Sequence, residues 1–303
     1  KNESYTMARA LGEALGGGYP KLVEARIALA TSKSNARDMM NAVPQNLANT
    51  GGFVLDRIRW LRKNDDNVAA ANLLDTTSHT EKMTFPEDWW KERNILVRRL
   101  IEDKNYSKAY HLASQHQTSE GPEFADAEWV SGWLALRFLN RPDLAMQHFT
   151  RMYGSVDTAI SKARGAYWAG RTADALKKPT ATAWYQDAAS YPHTYYGQVA
   201  RTHLHLPPPN LTAAQASAND QASIQSSDLV QAAALLYQTG HESLSAKFVS
   251  AELDHINTPG EFQALATYLK KLGDTSGAYR VAKRASWKNI FLGDTAYPSL
   301  MKW

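Results

Sequence analysis

Residues 126–200, DAEWVSGWLALRFLNRPDLAMQHFTRMYGSVDTAISKARGAYWAGRTADALKKPTATAWYQDAASYPHTYYGQVA, read as a succession of helix pairs that carries no catalytic motif. Four tryptophans (Trp129, Trp133, Trp168 and Trp184) and several tyrosines fall at helix-like intervals. Small residues (Gly132, Ala145, Gly165, Gly170 and Ala181) stand where two helices would touch, because the interaxial distance is set by the side chains at the contact.

A repeat extends the pattern on both sides. Ala109, Ala145 and Ala181 recur at 36 residues, and Ala113, Phe149 and Tyr185 follow them four residues on. Positions i and i+4 share a helix face, so a small residue followed by an apolar one matches the contact stripe of the second helix in a tetratricopeptide-type pair. Further on, GHESLSAKFVSAE from Gly240 and GDTSGAYRVAKRA from Gly273 repeat at 33, aligning Phe248 with Val281 and Val249 with Ala282. Periods of about 33–37 residues belong to helix-turn-helix solenoids. Chance alignment of Ala-rich helices is the alternative.

Local signals agree with helices. Thr84-Phe-Pro-Glu87 and Thr258-Pro-Gly-Glu261 fit the capping box, in which hydroxyl and carboxylate satisfy N–H groups that the first turn leaves unpaired. Pro259 falls at a first helical position, where its missing N–H costs nothing. Phe262, Leu265, Ala266, Leu269 and Leu272 then recur at three and four, and Gly273 ends the helix. Gly16-Gly-Gly-Tyr-Pro20 divides the first two helices, and Asn49-Thr-Gly-Gly52 separates another pair. No stretch alternates apolar and polar residues long enough for a strand. The expected fold is all-α, a tetratricopeptide-like superhelix, curved or ring-shaped. Leu206-Pro-Pro-Pro-Asn210 cannot continue a helix, and the polar stretch after it reads as a connection. The expected organisation is a superhelical domain over 1–206, a Pro-rich polar connection over 207–227 and a helical linker domain over 228–303.

The 303 residues are 44% apolar, enough for a large core or a long stack, and no apolar run approaches the ~18 residues of a membrane span. The absence of cysteine excludes disulfides and thiolate metal sites. The opening KNESYTMAR has no charged n-region followed by an apolar h-region, which fits a mature form or a protein that never had a signal peptide. A formal charge of +4 and a pI near 9.0 favour an acidic polymer without requiring one.

Catalytic signals are sparse. Glu120, Glu123, Asp126 and Glu128 surround Gly121-Pro122, where acidic groups suit a helix N-terminus through its dipole. His203 and His205 lie on different faces of any helix, and nothing resembles His-Glu-x-x-His, so no metal site is expected. There is no Gly-x-Ser-x-Gly elbow, phosphate-cradling loop or dinucleotide fingerprint, and no cofactor is expected. The basic clusters Arg57, Arg59, Arg62, Lys63 and Arg93, Arg98, Arg99, Lys104 read either as solvated helix faces or as a track for an anionic polymer. Nucleic acid is not the expected partner.

Several blocks, taken together, resemble a known family. They are Asp56-Arg-Ile-Arg-Trp-Leu-Arg62, Trp89-Trp90 with Arg98-Arg99, Asn105-Tyr-Ser-Lys-Ala-Tyr110, Ala127-Glu-Trp-Val-Ser-Gly-Trp-Leu-Ala-Leu-Arg137, Ala166-Tyr-Trp-Ala-Gly-Arg171, Trp184-Tyr185 and Thr194-Tyr-Tyr-Gly-Gln198. In this order they are similar to the helical region of the soluble lytic murein transglycosylases. Lys283-Arg-Ala285 and Ala296-Tyr-Pro298 resemble the stretch that leads into that family's catalytic domain. The resemblance covers about residues 50–298, and residues 1–49 match only in helical character.

The resemblance implies a superhelix and helical linker closed into a ring that carries a lysozyme-like domain, in the periplasm of a Gram-negative bacterium after removal of a signal peptide. It further implies cleavage of the MurNAc–GlcNAc bond of peptidoglycan without water, leaving a 1,6-anhydromuramoyl end. The family's catalytic Glu lies in a Glu-Ser-x-Phe motif followed by Gly-Leu-Met-Gln. Glu3-Ser4 and Glu242-Ser243 are the Glu-Ser pairs here, and neither has that context. By the resemblance the lysozyme-like domain would begin about where Trp303 stands, so this polypeptide is expected to be catalytically silent. It reads either as a piece of a transglycosylase or as a stand-alone relative.

On the first reading the chain positions peptidoglycan glycan strands for its own catalytic domain and meets other cell-wall proteins. Arg59, Arg62, Arg98 and Arg99 would contact peptide-stem carboxylates or lactyl groups, and Tyr195 and Tyr196, at a helix start, would contact sugar. Trp129, Trp133, Trp168 and Trp184 are expected in the core, where burial of each is worth ~1.5–3 kcal/mol or more. The rival reading is a stand-alone tetratricopeptide-like adaptor whose groove binds a peptide or protein partner.

Overall fold

The computed structural model describes residues 2–78, 85–209 and 211–296, and all regular structure among them is helical. The chain forms two compact units, Lys1–His148 and Phe149–Trp303. The first contains α1 (Asn2–Leu15), α2 (Tyr19–Thr31), α3 (Ala36–Asn41), α4 (Gly51–Lys63), α5 (Asn67–Ser78), α6 (Pro86–Glu102), α7 (Tyr106–Ser114) and α8 (Gly121–Arg137). The boundary falls within α9 (Pro142–Ser155). The second unit continues with α10 (Ala159–Ala175), α11 (Ala181–Ala189), α12 (Tyr195–His203), α13 (Ala218–Ser226), α14 (Asp228–Gln238), α15 (Glu242–Glu252), α16 (Pro259–Leu272) and α17 (Thr275–Trp287).

Packing is consecutive, as in a solenoid. In the first unit α4 packs on α5, α5 on α6, α6 on α7 and α7 on α8, while α2, α4, α6 and α8 also meet their next-but-one neighbours. In the second, α10 packs on α11, α11 on α12, and α10 on α12. The 36-residue stripe is interior throughout. Ala109 and Ala113 on α7, Ala145 and Phe149 on α9, and Ala181 and Tyr185 on α11 are all buried. Polar contacts keep the same interval: Lys108 donates to Asn72 Oδ1 (2.7 Å), His111 Nε2 meets Asp75 Oδ1 (2.8 Å), and the Trp90 indole donates to Asp126 Oδ2 (3.2 Å). Small residues permit the close approaches. A Cβ on Gly170 would stand 2.9 Å from the Tyr185 ring, and one on Gly165 would stand 3.3 Å from the Tyr153 backbone.

The breaks fall as the sequence indicates: α1 ends at Leu15 before Gly16 and Gly17, and α4 begins at Gly51. In α16, Phe262, Leu265, Ala266 and Leu269 are buried, and Gly273 closes the helix at φ 93°. Its capping box is complete, since Glu261 N–H donates to Thr258 Oγ1 (3.2 Å) and Thr258 N–H donates to Glu261 Oε2 (2.9 Å). Thr258→Ala is therefore expected to lower stability by about 0.5–2 kcal/mol in urea unfolding at neutral pH. The N–H groups of Thr258 and Asn257 hold the Glu261 carboxyl below the usual range. A lowered folded value gives stability that is complete above the ordinary glutamate pKa and is lost as pH falls through the folded one. The Thr258 hydroxyl also donates to Glu261 Oε2 (3.0 Å), and this smaller, pH-dependent share is the one the variant loses, so the Thr258→Ala deficit should shrink slightly at pH 3. Thr84 of the other proposed box lies outside the described residues, as does Pro298; Pro86 does occupy the first position of α6.

Residues 207–227, expected as a polar connection, contain α13. Ser217 and Asp220 form a second capping box, and Ile224 enters the cluster of Val230, Val249, Phe262, Leu265 and Val281. One buried side chain and a cap suffice because α16 supplies the rest of the contact.

Candidate functional site

Helices α10, α11 and α12 build a surface of the second unit where aromatic rings and polar groups interleave with solvent access. Tyr167, Trp168, Arg171 and Asp174 share one stripe of α10, at the three- and four-residue spacing that keeps side chains on a common face. Thr194 starts α12 by accepting from Gly197 N–H (3.0 Å), which fixes Tyr195 and Tyr196 on its first turn. Tyr196 packs on Tyr167 (centroids 5.3 Å apart) and against Trp168 (6.5 Å). Tyr195 meets Tyr196 edge-on (5.0 Å) and is 74% exposed.

Polar groups line the same surface. The Arg171 guanidinium donates to the Tyr167 hydroxyl (3.2 Å) and lies 6.0 Å from the Tyr167 and Trp168 ring centroids. That hydrogen bond pushes the Arg171 pKa up. Tyr185 donates to Asp174 Oδ2 (2.7 Å), and the half-exposed His203 ring packs on Tyr185 (4.0 Å). Burial first, and Asp174 second, push the Tyr185 phenol well above its usual value, so it stays a donor. An exposed ring at the end of a ring stack whose inner members carry a guanidinium, a carboxylate and an imidazole offers a flat apolar face together with donors and acceptors, the combination that suits a ligand with C–H faces and hydroxyls.

The expected arginines are differently employed. Arg59 and Arg62 converge on Glu92, with Nε–Oε distances of 3.1 and 2.7 Å, and Glu92 is only 6% exposed. They hold α4 to α6. Arg98 is exposed and donates to Asn94 Oδ1 (3.1 Å), while Arg99 donates to Asn67 Oδ1 and stands 3.8 Å from Asp65. Of their clusters, Arg93 is fully buried and donates to the Leu112 carbonyl (2.6 Å). Tyr195 and Tyr196 are brought together on α12. The four tryptophans are half-buried, and each stacks on or edges another ring at the margin of a core.

One acidic cluster is not what its spacing suggested. Glu123 lies in the first turn of α8, but Asp126 accepts from Trp90 and Asn94, and Glu128 is 1% exposed between two histidines. His116 Nε2 is 3.1 Å from Glu128 Oε1, His148 Nδ1 is 2.7 Å from Oε2, and the Tyr110 hydroxyl is 3.2 Å from His148 Nε2. Partners from α6, the loop between α7 and α8, and α9 override the helix dipole, which decays within a turn. The other buried carboxylates are also engaged: Glu252 accepts from Ser227 Oγ (2.8 Å), and Asp274 caps α17 at Gly277 N–H (2.7 Å). Sequence reasoning passed over Arg171, Asp174 and His203 as site residues, with the buried Tyr185 holding Asp174 and His203 from below; the i,i+4 pair Tyr167–Arg171 was the available signal.

Among the described residues no group of His, Cys, Asp or Glu is arranged to hold a metal ion, and no helix is long and apolar enough to cross a membrane. No family model matches the chain, and no curated protein matches it.

Proposed function

We propose that the chain is the non-catalytic helical scaffold region of a periplasmic lytic transglycosylase, and that it holds a peptidoglycan glycan strand for the catalytic domain. The observation that carries the reading is the α10–α12 surface, where exposed Tyr195 continues a ring stack beside Arg171 and Asp174. A sugar's C–H face packs on such a ring, while guanidinium and carboxylate meet hydroxyl and lactyl groups. The mild basic excess favours the same acidic polymer. Arg59 and Arg62 contribute through packing, because both guanidinium groups are held on the Glu92 carboxylate.

Co-sedimentation with purified sacculi at low salt tests the reading. The intact chain is expected to pellet, and Tyr195→Ala is expected to weaken binding about 2- to 10-fold without altering the far-ultraviolet circular dichroism. Absence of binding by the intact chain would remove the proposal. The adaptor reading draws on a different observation: Met7, Leu11 and Leu15 form an exposed apolar stripe on α1. Under it, a protein partner and not sacculi would be retained, with Leu11→Lys abolishing the retention.

A further inference from the structure

α11 presents a second, chemically different surface. Trp184 and Asp187 are three residues apart on it, and Tyr191 follows four residues after Asp187. The Tyr153 ring, from the end of α9, meets Trp184 at right angles (centroids 5.2 Å, 89°), so the two half-buried rings form a corner. Tyr153 is held there from below. Gly165 lets α10 approach its backbone, and Lys162 Nζ donates to the Tyr153 carbonyl (2.7 Å) while lying 4.6 Å from the ring centroid.

The charge at this corner is uncompensated. Among the described residues, no cation or donor pairs with the Asp187 carboxylate, and neither the Tyr153 nor the Tyr191 hydroxyl has an intramolecular partner. Burial alone raises the Asp187 pKa. Burial, and after it the Asp187 charge, pushes both phenols up, and the three oxygen-bearing groups share one side of α11, because Trp184, Asp187 and Tyr191 follow at the spacing of one helix face and Trp184 carries the Tyr153 ring. Lys162 does not relieve it, since its ammonium is bound at the Tyr153 carbonyl.

We infer that Asp187, Tyr153, Tyr191 and Trp184 form a binding site for a primary ammonium group on a short aliphatic chain, such as a lysine-like side chain of a peptide. An ammonium carries three donors, and a carboxylate with two phenol oxygens supplies acceptors for all three. The aromatic corner adds the attraction of ring faces for a cation and packs the methylenes. Lys162 on Tyr153 is an intramolecular instance of the same contact. A quaternary ammonium has no N–H to satisfy these oxygens, so the site selects the primary amine. This inference is independent of glycan binding at Tyr195.

The test is titration of the whole chain with n-butylammonium, and with n-butanol as its uncharged counterpart. The readout is the Trp184 indole N–H resonance, assigned by its loss in Trp184→Phe. The expected result is a saturable shift with the ammonium alone, weakened about tenfold in Asp187→Asn. It should also weaken as pH is lowered and the Asp187 carboxylate is protonated. Asp187 is open to solvent, so the Asn variant is expected to fold, and unchanged circular dichroism checks it. Equal shifts with n-butanol, no shift with n-butylammonium, or unchanged affinity in Asp187→Asn would each overturn the inference.

Discussion

Glu128→Ala is expected to destabilise the protein by about 2–6 kcal/mol in urea unfolding, the cost of leaving two buried donors without an acceptor. The geometry says why the cost is high. Thr118 N–H donates to His116 Nδ1 (3.1 Å), so that nitrogen is an acceptor and the ring proton sits on Nε2, facing Glu128 Oε1. His148 directs Nδ1 at the other carboxylate oxygen and Nε2 at the Tyr110 hydroxyl. Removing the carboxylate leaves two imidazole N–H groups in a site closed to water, each costing about 1–3 kcal/mol. Glu128→Gln keeps one acceptor but turns an NH2 group towards a donor, so its loss should be intermediate. A loss below about 1 kcal/mol for the alanine variant would show that water enters and replaces the carboxylate.

Gly197→Ala is expected to cost as much as or more than the usual ~1–3 kcal/mol of overpacking, because the obstruction is backbone. A Cβ at Gly197 would stand 1.9 Å from the Tyr191 carbonyl oxygen. That oxygen cannot retreat freely, since it accepts from both the N–H (3.0 Å) and the hydroxyl (2.8 Å) of Thr194. The turn from Tyr191 to Thr194 must open, and it carries Tyr195 on one side and Tyr191 on the other. Thermal unfolding should show the lower Tm. Binding to sacculi and n-butylammonium shifts should both weaken, whereas Tyr195→Ala affects the first alone and Asp187→Asn the second alone.

What was legible in the sequence had local causes. The small-to-apolar i+4 stripe at Ala109, Ala145 and Ala181 marked buried contacts because period and face follow from helix geometry alone. The Thr258–Glu261 box and Gly273 cap needed only four and one residues respectively. Helix α13 escaped notice because its single buried residue, Ile224, leaves no periodic stripe. The ionic pairings were illegible for a different reason. Glu92 receives Arg59 and Arg62 from 33 and 30 residues away, and Glu128 receives its histidines from 12 and 20. Such partners are set by which helices become neighbours, so a basic cluster read along the chain looks free when it is not. At the candidate surface, Tyr195 and Tyr196 were visible as an exposed helix start, whereas Arg171 and Asp174 gained meaning only once α11 and α12 stood beside α10.

The polar contacts at 36-residue spacing have an evolutionary consequence. Asn72 with Lys108, Asp75 with His111, and Trp90 with Asp126 each join corresponding points of adjacent repeats. Contacts of this reach tie helix rotation to spacing: an insertion of a residue in α7 ahead of Lys108 would turn Lys108 and His111 away from Asn72 and Asp75 together. An insertion in a turn leaves each helix face in place, so the turns are where a change of length should be tolerated.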